Sequence, residues 1–148
     1  MINIPVKDNK KLKKVMESIN SSKNIKALFE CSNTMSVNRL GMSDHGPVHV
    51  SIVSNIALKL LRNLVMADIT PSSVKDYGLD YHDAEVIVVL ASLFHDLGNA
   101  VHRDIHTTFS ILLAKDLIED ILSDIYSERE KTIILSELLH AVVAHDKN

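Results

Sequence analysis

The chain has 148 residues, 46% hydrophobic and only 4% aromatic, with no Trp; this is the length of one domain, with enough apolar content for a proper core. Sixteen Lys and Arg against nineteen Asp and Glu leave a formal charge of −3, so the basic excess expected of a duplex-binding protein is missing. The single cysteine, Cys31, excludes an intrachain disulfide and fits a reducing compartment.

The opening Met1-Ile-Asn-Ile-Pro-Val-Lys7 lacks the apolar core of a signal peptide, and the longest apolar run is about half of the roughly 20 residues that a membrane helix needs. A cytoplasmic protein without membrane contact is expected. Leu, Ile, Val and Ala dominate the apolar set, which suits packed helices, and we expect an all-α single-domain bundle. Cys31 reads as a small core residue, and Lys7, Lys10, Lys11, Lys13 and Lys14 as the solvated face of a first helix.

In chain order, Asp8 can cap that helix, whose Leu12, Val15, Met16 and Ile19 share one face. Ser21-Ser22 interrupts it, and a shorter helix carries Ile25, Leu28 and Phe29 until the pattern dissolves at Ser32-Asn33-Thr34. Residues 1–35 thus form N-terminal helices packed on a main domain of residues 36–148. The turn-rich segment from Ser36 ends at Pro47, which suits the first position of a helix. Ile52, Val53, Ile56, Ala57, Leu60, Leu61 and Leu64 then predict a buried stripe, with His49 in phase with it.

Thr70-Pro71 starts a short element that Gly78 ends, and Asp80 or Asp83 can cap the next. Ala84, Val86, Ile87, Val89 and Leu90 lead to Phe94-His95-Asp96, and Gly98-Asn99 breaks the element. Its β-branched residues also fit a strand, but no other segment supplies partner strands, so a central buried helix is expected. His102 and His106 have the i, i+4 spacing of one helix face, and Phe109 and Leu113 continue the His106 face inward. Ser127-x-x-Glu130 is a capping box. It opens a helix with a stripe of Ile134, Leu138, Ala141 and Val142; His145 is in phase with this stripe, and His140 lies on a more polar side.

Burying a histidine or a carboxylate without a partner costs about 1–3 kcal/mol. One such histidine is ordinary in a core. Four that phase with apolar faces of four helices, His49, His95, His106 and His145, beside the carboxylate of Asp96, point to a shared divalent metal.

The ordered set of a helix-borne histidine, a His-Asp pair ending a buried helix and later histidines resembles the HD-domain phosphohydrolase superfamily. The segments Asn38-Arg39-Leu40-Gly41, Asp44-His45-Gly46-Pro47-Val48-His49, His95-Asp96-Leu97-Gly98-Asn99, Val101-His102-Arg103-Asp104 and Leu139-His140-Ala141-Val142 look like those of archaeal HD-domain proteins. The resemblance covers most of the chain beyond residue 36 and implies an HD-type bundle. It also implies that His49, His95 and Asp96 bind a first metal, with Asp96 able to bridge. His106 and His145 match the extra histidines of the two-metal branch, which includes hydrolases of dinucleoside polyphosphates. The family completes its first site with an aspartate on a following helix. Here the sequence reaches Asn148 without one, and Asp146 adjoins His145. Either the chain is a C-terminally shortened form, or the site is incomplete.

The implied function is hydrolysis of a small phosphoester such as a nucleotide, by attack of metal-bound hydroxide at one or two divalent ions (Mn, Fe, Co, Ni, Zn or Mg). Asp96 and Arg103 are the candidate catalytic residues; Arg103 could offset charge on phosphoryl oxygens. Arg39, His45 and His102 are the candidate substrate contacts. A non-catalytic metal- or nucleotide-binding sensor or scaffold is the alternative. Pairing with a second copy is open.

Overall fold

A computed structural model describes residues 1–146 and has no strand among them. Its helices are α1 (Lys10–Ser21), α2 (Lys23–Asn33), α3 (Pro47–Met66), α4 (Ser72–Tyr77), α5 (Tyr81–Phe94), α6 (His106–Ser123) and α7 (Glu128–Ala144). A π-helical turn, Thr34–Arg39, prolongs α2, and a 3₁₀ turn, Leu97–Ala100, follows α5. The expected all-α bundle is the architecture.

Helix α5 is the axis. It is apolar all round, and α1, α3 and α7 pack against it, with α4 and α6 at its flanks. Val86, Val89, Leu90, Leu93 and Phe94 are fully enclosed, so tertiary packing outweighs the weak helix propensity of its β-branched residues. A capping box opens it: the Asp80 side chain accepts from the Asp83 amide and the Asp83 side chain from the Asp80 amide. Ser127 and Glu130 do the same for α7, as the sequence predicts. Leu12, Val15, Met16 and Ile19 of α1 are buried, and Phe29 of α2 stacks on Phe94 at 6.1 Å. One hydrophobic core therefore runs through residues 1–35 and the remainder.

Several details differ from the sequence reading. Asn9, not Asp8, caps α1, because its buried side chain accepts from Leu12 N–H while its Nδ2 donates to His82 O and Glu85. Lys11 leaves the solvated face to bridge Asp80 and Asp83. Cys31 is exposed, since α2 buries Ile25, Phe29 and Ser32 instead. On α6 the buried row is His106, Ser110, Ala114, Ile118 and Leu122; Phe109 and Leu113 are only half-buried.

The largest difference is on α3. Its buried face is Val50, Ser54 and Leu58, turned toward α5. Val53, Ala57 and Leu61 are half-buried, and Ile52, Ile56, Leu60 and Leu64 point outward. The helix carries more apolar residues than its contact with α5 can cover. Among the described residues it is the one helix long and apolar enough to cross a membrane.

Candidate metal centre

The loop before α3 is built to aim two histidines. Asp44 Oδ1 accepts from the amides of Gly46 and His49, closing the helix start that Pro47 begins. Asn33 Oδ1 accepts from the His45 amide, and Gly46 lies so close that a Cβ there would meet Asn33 side-chain atoms at 2.9 Å. His45 is thereby buried, and His49 stacks beside it at 5.2 Å.

His95 and Asp96 follow α5 directly. Ser110 on α6 ties this corner together, with Oγ donating to His95 O at 2.7 Å and accepting from Gly98 N–H at 2.8 Å. Ser32 Oγ donates to Asp96 O. Gly98 is needed for its lack of a side chain: a Cβ would sit 1.9 Å from His106 O. That contact brings the 3₁₀ turn against the start of α6, where His106 is buried.

The result is two groups of ligand atoms around one carboxylate. Asp96 Oδ2 lies 3.0 Å from His95 Nε2 and 3.4 Å from His49 Nε2. Oδ1 lies 3.2 Å from His106 Nε2 and 3.8 Å from His145 Nε2. Within each pair the Nε2 atoms approach to 3.4 Å (His49, His95) and 3.3 Å (His106, His145). His95, His106 and His145 each place Nδ1 on a backbone carbonyl three residues earlier, at 2.6–2.8 Å. A carbonyl oxygen only accepts, so each neutral ring carries its proton on Nδ1 and turns an Nε2 lone pair inward. A carbonyl on the far nitrogen is the usual support of a metal-bound histidine.

These residues fit a divalent cation. Lone pairs and a carboxylate converge with no cation beside them except the Arg103 guanidinium, 4.0 Å from Asp96 Oδ1, and His49-His95-Asp96 and Asp96-His106-His145 each bring three ligand atoms within 4.8 Å of one another. Three protein donors per group leave positions open, unlike a closed structural zinc site. Mixed nitrogen and oxygen ligands suit borderline ions. Burial works against ionising Asp96, but the contacts from His145 and His95 outweigh it and hold the carboxyl far below the usual range. Contact with Asp96 raises His145, against its partial burial. Burial lowers His49, with a smaller contribution from His95.

Every sequence-predicted ligand is therefore brought together, although His49 reaches Asp96 from the half-buried edge of α3 and not from its core face. His45 Nε2 lies 3.9 Å from Asp96 Oδ2. Arg103 Nη1 lies 4.0 Å from Oδ1 and donates to Asn99 Oδ1 at 3.2 Å. Arg39 is exposed in the π-helical turn and lines a different cleft with Glu30 and Thr34. His102 does not share a helix face with His106, because α6 begins only at His106; it is exposed, and its Nδ1 accepts from Asp104 N–H. His140 faces outward. Asp146 stands 3.8 Å from His106 Nδ1, on the side away from the metal ligands. The sequence reading missed Ser110 and Ser32; their only signal is small polar residues at the helix positions nearest the His-Asp corner.

Beside the centre, α3 and α7 flank α5 with an apolar furrow of about 340 Å³ between them. Val53, Val88, Ala91 and Ala141 line it, and His95 and His145 close its end.

No family model matches the chain, and no solved structure matches it. Over 135 residues, 91% of its length, it is 40% identical to an uncharacterized protein of Methanocaldococcus jannaschii. That match covers 52% of the relative, so the chain spans about half the length of the curated relative it matches.

Proposed function

We propose that the chain is an HD-type, metal-dependent phosphohydrolase domain acting on a small phosphoester such as a nucleotide. The observation that carries this reading is the division of Asp96: each carboxylate oxygen faces its own pair of histidine Nε2 atoms. His49 and His95 would hold one ion and His106 and His145 a second, with Asp96 shared. A divalent ion bound there supplies Lewis acidity toward phosphoryl oxygens and acidifies water.

The chain's own groups do the rest. Arg103, two-fifths exposed, extends a guanidinium over the centre and can pair with a phosphoryl oxygen. His45, anchored through Nδ1 on Ser43 O, directs Nε2 to the same place and can carry a proton there. The furrow offers an apolar bed for the leaving group, whose ester oxygen takes up a proton as its bond to phosphorus breaks and the bond from water forms. The second reading, a metal-binding sensor or scaffold without turnover, rests on Asp96 being the only carboxylate in either ligand group.

The test is elemental analysis followed by hydrolysis assays. We expect one or two transition ions per chain, and metal-dependent release of p-nitrophenol from bis-p-nitrophenyl phosphate or of phosphate from nucleotides. Arg103→Ala should lower the rate about 10²-fold at unchanged metal content, the scale seen when one charge-stabilising donor is lost. Bound metal without turnover on any phosphoester would replace hydrolysis with the sensor reading. No metal after loading with Mn, Ni or Zn would overturn hydrolysis and leave a nucleotide-binding sensor or scaffold in its place.

A further inference from the structure

The outward face of α3 has no role in the centre just described. Val48, Ile52, Ile56, Leu60 and Leu64 recur every four residues and form one continuous ridge, each between 47% and 63% exposed. Solitary exposed leucines need no explanation, but a ridge does. At roughly 100 Å² apiece it offers about 500 Å², within the 300–600 Å² that the largest patch of a monomer reaches. Exposed Met66 and Ile69 beyond its end, with half-buried Val53, Ala57 and Leu61 beside it, bring the face close to the ~800 Å² per partner of a standard interface.

We propose that this face pairs with the α3 of a second copy, antiparallel, about a two-fold axis at Ile56. The ridge is symmetric about that residue: Ile52 meets Leu60 of the other copy, Val48 meets Leu64, and Ile56 meets itself. An isologous interface needs this self-complementarity, and a row of side chains four apart is the ridge that interdigitates in the commonest class of helix packing. Charge selects the orientation. Helix α3 contains no acidic residue, and its charged side chains are Lys59 and Arg62. A parallel pair would set Lys59 against Lys59. The antiparallel pair sets Lys59 against the half-buried Val53, while Arg62 stays bound to Glu85 of its own chain at 2.7 Å. A lipid surface fits less well, because Ser51, Asn55 and Asn63 and this ion pair border the ridge.

The experiment is sedimentation velocity of the metal-loaded chain across micromolar to submillimolar concentrations. We expect a species of twice 16.5 kDa. Ile56→Glu should raise its dissociation constant on the order of 100-fold or more, as for loss of a central interface residue, with helicity and metal content unchanged. In a Cys31→Ser background, Ile56→Cys should cross-link the dimer under mild oxidation, whereas Leu112→Cys, more exposed than Ile56 and on α6, should not. A 16.5 kDa species at every concentration, a dimer indifferent to Ile56→Glu, a dimer that Ile56→Cys fails to cross-link, or a monomer that instead binds phosphatidylglycerol vesicles would each overturn the proposal. Every readout is independent of hydrolysis.

Discussion

Removing an imidazole and removing the shared carboxylate have different consequences when each oxygen of Asp96 serves its own pair. With two ions bound, His49→Ala and His145→Ala should each reduce the metal content by about one ion, from opposite sides, and Asp96→Ala should abolish both sites. Equal loss in all three variants, read by elemental analysis, would mean a single shared ion. The protonation order of the metal-free chain follows from the same geometry. The polar contact with Asp96 raises His145 above its ordinary 6.5, so its contribution to stability is full below 6.5 and is lost as pH rises through the raised value. His49, lowered mainly by burial, contributes above 6.5 and loses that contribution as pH falls through its lowered value. Asp96, held below 3.8, contributes above 3.8 and loses that on further acidification. Imidazole proton resonances should therefore titrate with His145 first on acidification and His49 later, and Asp96→Asn should bring the His145 midpoint down. Because a proton and a metal compete for the same Nε2, affinity at the His106 and His145 group should weaken first as pH falls.

At the scale of the elements, Gly98 couples the corner after α5 to the start of α6. Gly98→Ala would drive a methyl group into His106 O and Ser110 N, both backbone atoms. Overpacking of this kind costs about 1–3 kcal/mol, and the strain falls on the residue that presents His106. A lowered midpoint in urea, together with loss of about one ion, is the expected result. Ser54 gives the opposite sign. Its hydroxyl is fully buried between α3 and α5 with no hydrogen-bond partner among the described residues, so Ser54→Ala should gain about 1 kcal/mol in the same experiment. These two positions also mark where the sequence is readable. The caps at Asp80 and Ser127, the buried run from Ala84 to Phe94 and the phase of His145 are local patterns that need only their own helix. The covered side of α3 is not local: its apolar residues occupy most of its circumference, and only the position of α5 selects Val50, Ser54 and Leu58. Gly98 reads as a breaker until its contact with α6 is seen. Arg39 and His102 sit in turns whose direction no periodicity encodes.

For the whole molecule, the separation between core and centre decides what metal removal does. In small domains that fold around zinc, ligand binding supplies the folding energy and chelation unfolds the chain. Here the core runs from Ile2 to Val142 through α1, α2, α3, α5, α6 and α7, and the histidines lie at one end of it. Chelated protein should therefore keep its helical circular dichroism and its cooperative melting. The metal-free centre nonetheless crowds four imidazoles around one carboxylate, an arrangement that a cation relieves. Ion binding to the folded state alone stabilises by about 4 kcal/mol at a thousandfold excess over the dissociation constant. At roughly 2–4 °C per kcal/mol for a chain of this size, loading should raise Tm by about 10 °C. The Asp96→Ala variant, with no site to fill, should melt at one temperature with or without metal. A wild-type chain that loses its helicity on chelation would assign the ions to the architecture, and the open coordination positions would then have no catalytic meaning.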